Sequence, residues 1–173
     1  MKASDALKAD AKTIEFLNLI LKNELTAINQ YFLHSRMLAN WGVSELSKKE
    51  YDESLDEMRH ADSLMQRILF LGGLPNLQYL DKLLIGESVE DVIQCDLKFE
   101  HKALFDLRQA IAYAESIQDY GSRLLYEAIL KSEEEHIDYL NTQLRLIVAI
   151  GLADYIQVQT HPNAANALDP PGD

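Results

Sequence analysis

The chain contains one pattern twice: a glutamate, and then a Glu-x-x-His motif that begins 33 residues later. The first copy consists of Glu24, Glu57 and His60, and the second consists of Glu100, Glu133 and His136. In an α-helix, residues three apart are neighbours on one face, so the carboxylate and the imidazole of each motif can converge on one point. The repeat therefore constrains the chain to bring two similar helix pairs together around a common core.

Start and stop signals divide the chain into helices. Gly42 follows the first periodic segment, Ser47-x-x-Glu50 has the form of a capping box, and Ser88 and Asp119 are suitable N-caps. These signals predict helices near residues 11–41, 45–72, 89–117 and 119–150, with a short fifth helix near 153–158.

The connection between the second and third predicted helices, GLPNLQYLDKLLIGES, is much longer than the other two. About fifteen residues reach roughly 50 Å when extended, which is enough to run the length of a helix pair. Short connections make neighbouring helices antiparallel, whereas this one lets the third helix start parallel to the second. We therefore predict an all-α fold, an antiparallel four-helix bundle with a long crossover between helices 2 and 3 and a short C-terminal fifth helix.

Each predicted helix carries an apolar seam that is interrupted by one or two of the six repeated residues at a similar depth. Four carboxylates and two imidazoles should then meet in one core. Ionised carboxylates in such a core repel one another and lose hydration, so they require a counter-charge. Two divalent cations would balance four carboxylates and two neutral imidazoles, and this mixed oxygen and nitrogen donor set suits iron or manganese.

The net charge and the composition argue against several other classes of function. A formal net charge of −12 argues against nucleic-acid binding, because phosphates would be repelled, and is compatible with a cationic partner. The single cysteine, Cys95, excludes an internal disulfide framework and a cysteine-built metal site within one chain. No secretory leader and no apolar run of about 18 residues is recognisable, so we expect a cytoplasmic protein without a membrane partner.

A length of 173 residues suits one domain, which we expect to span residues 1–159. The remaining stretch, 160–173, is polar and rich in small residues and proline, so we predict a disordered tail.

A second apolar line follows another side of the predicted bundle. On the second helix this line consists of Tyr51, Leu55, Met58 and Met65. Met58 adjoins Glu57 and so points about 100° around the helix, away from the core. A bundle that is apolar on two sides requires a partner, which predicts a dimer interface in which a methionine ordinarily serves as packing.

Four stretches of the chain resemble the bacterioferritin family: NELTAINQYFLH at 23–34, ESLDEMRHAD at 53–62, RILFLGGLPNLQ at 67–78 and SEEEHIDYL at 132–140. The similarity extends over roughly residues 12–159. The resemblance implies a homo-oligomeric cage of 24 subunits built from dimers, a di-iron ferroxidase centre within each bundle, and haem b shared between two subunits.

The resemblance also implies roles for individual residues. Carried over by position, Glu24 and His60 would hold one iron, Glu100 and His136 the other, and Glu57 and Glu133 would bridge both. Tyr31 matches the tyrosine that stands beside this centre in the family. Met58 matches the methionine that, together with its symmetry mate, binds the haem iron from both sides.

The expected function is iron storage and detoxification, with Fe(II) oxidised to Fe(III) by O2 or H2O2 and ferric mineral stored in the cage. The resemblance also allows a ferredoxin-type reductant as a partner. Three alternatives stay open: a haem-free ferritin in which Met58 only packs, a di-iron oxidoreductase that uses the same six ligands, and a purely structural bundle that binds no metal.

Overall fold

The structure of the protein is a computed structural model that describes residues 9–160. It contains five helices: α1 (Ala11–Asn40), α2 (Ser44–Phe70), α3 (Val89–Ser116), α4 (Tyr120–Ile150) and α5 (Leu152–Val158). The all-α prediction is confirmed, and each predicted helix end lies within two residues of the observed one. The predicted disordered tail lies outside the described residues, apart from Thr160.

Two of the predicted N-caps begin the helices as expected. The side chain of Ser88 accepts a hydrogen bond from the backbone N–H of Asp91, and that of Asp119 accepts one from Ser122. Between α1 and α2 the chain turns at Gly42, whose φ of +82° is a conformation that residues with a side chain rarely adopt. The two helix pairs are therefore joined by short turns, as antiparallel neighbours require.

The predicted capping box at Ser47-x-x-Glu50 is wrong. Helix α2 begins at Ser44, and its N-cap residue Val43 makes no side-chain cap hydrogen bond. Ser47 lies inside the helix, where its hydroxyl donates to the carbonyl oxygen of Ser35 at 2.8 Å. Glu50 is fully buried in the bundle. The spacing of a capping box is also the spacing of two residues on one helix face, and here that face is directed inward.

The crossover between α2 and α3 runs along α1 and is hydrogen-bonded to it. Four side chains of α1 accept backbone N–H groups of the crossover in matching order: Asn18 from Asn76, Thr26 from Asp81, Gln30 from Leu84, and His34 from Gly86. Because the crossover and α1 run in the same direction, the chain returns to the end of the bundle where α2 began. Helix α3 is therefore parallel to α2, and the crossover topology is confirmed.

Two apolar clusters fill the two ends of the bundle and leave a polar layer between them. One cluster includes Leu17, Ile20, Leu64, Ile68, Leu107 and Ile129, and the other includes Leu38, Leu46, Ile93, Leu140 and Tyr155. The helix segments between these clusters carry the repeated glutamates and histidines. Within residues 9–160, no helix is long and apolar enough to cross a membrane.

Candidate metal centre

The structure brings the six repeated residues together in two overlapping groups, which we call the six-residue centre. The first group, the His60 half-site, consists of Glu24, Glu57, His60 and Glu133, and the second, the His136 half-site, consists of Glu57, Glu100, Glu133 and His136. In each group, one donor atom per residue lies within 4.8 Å of all the others. Glu57 and Glu133 belong to both groups and so occupy the position between the two half-sites.

The two histidines face the centre in the same way. Nδ1 of His60 lies 3.2 Å from a carboxylate oxygen of Glu24 in α1, and Nδ1 of His136 lies 3.0 Å from one of Glu100 in α3. Both pairs are separated by 36 residues in sequence. The duplicated spacing is thus also a duplicated geometry, with one histidine and one glutamate at each end of the centre.

The four glutamates are at most 3% exposed, and burial changes their acidity. Burial raises the pKa of Glu24 to about 7. Burial, together with the charges of neighbouring carboxylates, raises the pKa values of Glu57 and Glu133 well above the ordinary range. Burial alone would also raise the pKa of Glu100, but the hydrogen bond and charge of His136 outweigh it and lower that pKa.

The two imidazoles hold their protons more tightly than usual. Burial alone would lower the pKa of His136, but its hydrogen bond to Glu100 and the charge of that carboxylate raise it to about 10. Likewise, Glu57 raises the pKa of His60 against the effect of burial. A metal ion binds the deprotonated forms of carboxylates and imidazoles, so a cation entering this centre must displace protons.

The metal-free protein should become less stable as pH rises from about 5 to about 9. In the folded state the pKa values of Glu24, of His136 and of Asp96, a buried residue one turn before Glu100 on α3, are about 7, 10 and 8. Each of them is above the ordinary value. The folded protein therefore binds more protons than the unfolded chain in this window. The stability contributed by these protons is complete below the ordinary pKa values and is lost as pH rises through the raised ones.

The measurement is the Tm of the metal-stripped protein at several pH values in this window, with and without excess Mn(II). Unfolding is monitored by circular dichroism. The cation replaces the protons as counter-charge, so it should raise Tm most at high pH. A metal-free Tm that increases between pH 5 and pH 9 would contradict the raised pKa values.

Tyr31 lies beside the centre, at the position that the family resemblance implies. It is fully buried, its hydroxyl donates a hydrogen bond to Glu100, and its ring meets that of His136 edge-on with centroids 5.2 Å apart. Burial raises the pKa of Tyr31 well above its ordinary value, so the phenol stays protonated as a donor. Tyr31 therefore orients Glu100 in the His136 half-site.

Met58 lies on the outside of the bundle and is 53% exposed. It forms part of an apolar hollow of about 280 Å³ on the surface of α1 and α2, which we call the outer hollow. The other lining residues are Ile28, Asn29, Phe32, Tyr51, Ser54 and Leu55. This is the side of the bundle where the second apolar line predicts a dimer interface.

The structure also contains buried polar residues beyond the six repeated ones. We call Gln30, His34, Glu50, Glu53 and Asp96 the second polar cluster; each is at most 6% exposed. Asp96 accepts hydrogen bonds from Gln30 at 2.7 Å and from His34 at 2.8 Å. The cluster adjoins the His136 half-site, since Oε2 of Glu53 lies 4.0 Å from Nδ1 of the histidine.

A signal for the second polar cluster was present in the sequence. Glu50 and Glu53 precede Glu57 by two turns and one turn on the same face of α2, and Asp96 precedes Glu100 by one turn on α3. Extending each ligand-bearing seam by one or two turns would have identified all three carboxylates.

Comparisons of this chain with a family model and with known proteins agree on one family. The family model described as a ferritin-like domain matches residues 14–150. A bacterioferritin of Rhodobacter capsulatus is 44% identical over 156 residues, which cover 90% of this chain and 97% of the relative. A bacterioferritin of Brucella melitensis biotype 1 shows the same identity and coverage. One of Mycobacterium tuberculosis (strain CDC 1551) is 46% identical over 145 residues, covering 84% and 91%. The chain therefore belongs to the bacterioferritin family of ferritin-like proteins.

Proposed function

We propose that this protein stores and detoxifies iron: it oxidises Fe(II) to Fe(III) at the six-residue centre and retains ferric mineral inside a cage built from copies of the chain. The observation that carries the proposal is the pair of four-ligand groups that share Glu57 and Glu133 in the buried middle of one bundle. The relatives named bacterioferritin support iron as the cation.

The donor set fits two ferrous ions. Four carboxylates supply four negative charges and the imidazoles bind in their neutral form, so two Fe(II) ions balance the charge. In this arrangement Glu24 and His60 would hold one ion, Glu100 and His136 would hold the other, and Glu57 and Glu133 would serve both. The raised pKa values of Glu24, Glu57 and Glu133 support this fit, because they show that the buried carboxylates need positive charge.

The reaction balances with Fe(II) as the substrate. Two Fe(II) and one O2 take up two protons to give two Fe(III) and one H2O2; with H2O2 as the oxidant, the same electrons and protons yield two water molecules. Two ferrous ions held side by side deliver their electrons together, which avoids one-electron oxygen products. Carboxylates suit this task because they ligate both oxidation states and can move between terminal and bridging positions.

The outer hollow fits one edge of a haem shared by two copies of the chain. Its lining is mainly apolar, and the exposed Met58 offers a thioether sulfur, which is a haem-iron ligand in other proteins. The Met58 side chains of two copies would hold haem b, which supplies one-electron transfer when bound. A ferredoxin-type reductant is the proposed electron donor for releasing stored iron.

Sizing of the purified full-length protein, combined with iron and haem analysis, tests this function. We expect the 24-subunit shell that the family resemblance implies, with a Soret band after haem is supplied. Given Fe(II) and air, the shell should retain far more iron than the two ions per subunit that the centre can hold. A small species with only two iron ions per chain would instead indicate a di-iron oxidoreductase. A protein that binds no iron would indicate a structural bundle, and an iron-filled shell without haem would indicate a haem-free ferritin.

A further inference from the structure

The two half-sites have matching ligands but different surroundings. A shift of 76 residues relates Glu24, Glu57 and His60 to Glu100, Glu133 and His136, respectively. The same shift relates Glu50 to Tyr126. The residue at this position therefore differs between the two halves of the bundle.

The difference in surroundings matters most for Nε2, the imidazole nitrogen that is directed away from the centre in each histidine. Both histidines present Nδ1 to the centre, which leaves Nε2 pointing away from it. The side chain of His60 is 18% exposed, so water can hydrogen-bond its Nε2. The side chain of His136 is only 2% exposed, and its Nε2 is buried without a hydrogen-bond partner among residues 9–160.

Metal binding turns this buried nitrogen into a donor that needs an acceptor. A neutral imidazole that binds a cation through Nδ1 carries its proton on Nε2. In metal sites this N–H group is almost always donated to a carboxylate, a carbonyl or water, which fixes the orientation of the ring. Solvent serves this purpose at His60, whereas His136 requires an acceptor inside the protein.

Glu50 has the position and the free capacity to be that acceptor. It is fully buried, and neither of its carboxylate oxygens accepts a hydrogen bond from the described residues. It lies one turn from Glu53 on the same face of α2, and Glu53 is the α2 residue that comes within 4.0 Å of His136. Burial raises the pKa of Glu50 well above its ordinary value, and the charge of His136 acts against this shift, so the two side chains lie within electrostatic range of one another.

The other carboxylates of the second polar cluster are already engaged. Asp96 accepts hydrogen bonds from Gln30 and His34, and Glu53 is paired with Lys49. Glu50 can itself donate to Asp96, which still leaves an oxygen free to accept. An oxygen of Glu50 is therefore available inside the bundle to accept a hydrogen bond.

We propose that Glu50 is a positioning residue of the metal centre. It accepts a hydrogen bond from the Nε2–H group of His136, directly or through one water, and so fixes the imidazole for a divalent cation in the His136 half-site. The inference rests on the proposed function, because it requires the six-residue centre to bind metal.

Equilibrium titration of the metal-stripped, assembled protein with Co(II), read from visible absorption against a competing chelator, tests the proposal. The unmodified protein should bind two Co(II) per subunit. In Glu50→Leu one of the two affinities should fall by about 10- to 100-fold while the other stays unchanged. Glu50→Gln should restore binding to within a few-fold, because the amide oxygen still accepts. Tyr126→Phe, at the related position of the other half, is the matched control and should leave both affinities unchanged.

Double variants identify the half-site through which Glu50 acts. Adding Glu50→Leu to His136→Ala should cause no further loss of Co(II) affinity, whereas adding it to His60→Ala should weaken the remaining site by the full 10- to 100-fold. Folding is monitored by the Tm of the metal-free variants, so that a weakened metal site can be distinguished from a weakened fold.

Two results would overturn the inference: Glu50→Leu with both Co(II) affinities unchanged, or with both lowered equally. In either case the proposed function would stand, since the unmodified protein would still bind two ions. An unmodified protein that binds no Co(II) at the six-residue centre would overturn the proposed function as well.

Discussion

Replacement of Glu24 by alanine should lower the initial rate of Fe(II) oxidation by about 100-fold or more and leave the helices and the assembled cage intact. Glu24 is the carboxylate that the His60 half-site does not share with its neighbour, so its loss leaves one ferrous ion without a negatively charged ligand of its own. The fold should tolerate the change, because removing one of four crowded, buried carboxylates relieves repulsion.

The rate is measured from the absorbance of the ferric product after anaerobic Fe(II) is mixed with aerated buffer, and assembly is checked by sizing. Glu134→Ala is a suitable control. Glu134 adjoins the ligand Glu133 in sequence, but it is exposed and pairs with Arg108 at the surface. An unchanged initial rate in Glu24→Ala would show that the six-residue centre is not the ferroxidase site.

Replacement of Met58 by leucine should eliminate tight haem binding and the Soret band while Fe(II) oxidation continues. The swap nearly conserves volume and should cost less than about 1.5 kcal/mol, so the dimer and the cage should form. It removes only the thioether, and in a symmetric pair it would remove both of the sulfurs that would hold the haem iron. Met58 is 53% exposed on the outside of α2, whereas its neighbour Glu57 is buried in the centre, so the two functions should separate.

The measurement is the haem absorption spectrum of the purified variant after haem is supplied, together with the rate of reductant-driven iron release, which should fall. Met65→Leu, the same substitution two turns further along α2, is the matched control and should keep its haem. An unchanged spectrum in Met58→Leu would mean that another residue ligates the haem. If the unmodified protein binds no haem at all, a haem-free ferritin is the better assignment.

The topology could be predicted from local signals because the caps and the long crossover are local features. The inward face of α3 is harder to predict: its apolar pattern would place Leu97 and Leu104 in the core, but they are only half-buried, while Asp96 and Ala103 are buried. The difference of one residue in helical phase has a physical reason. Hydrophobicity alone favours leucine at core positions. Close contact between α3 and α1 instead favours residues that are small or that are hydrogen-bonded.

The candidate site likewise contains residues that could be predicted from the sequence and residues that could not. The six residues of the centre could be found because a spacing of three residues on a helix and a repeated interval are properties of the chain itself. Its spacing from Glu100 places Asp96 on the ligand-bearing face of α3, but its burial could not be predicted, since its partners His34 and Gln30 lie 62 and 66 residues away. Whether a lone carboxylate is buried or solvated depends on donors from other helices, and those donors are known only once the helices are packed.

The crossover controls the tautomer of a histidine in the core. The backbone N–H of Gly86 donates to Nε2 of His34 at 3.1 Å, so this nitrogen carries no proton and the ring must hold its proton on Nδ1, the nitrogen that faces Asp96. Only glycine fits at position 86, because a Cβ there would lie 2.3 Å from the backbone nitrogen of Val92. A substitution of Gly86 would therefore displace the loop, free the ring to change tautomer, and remove a donor from a carboxylate inside the bundle.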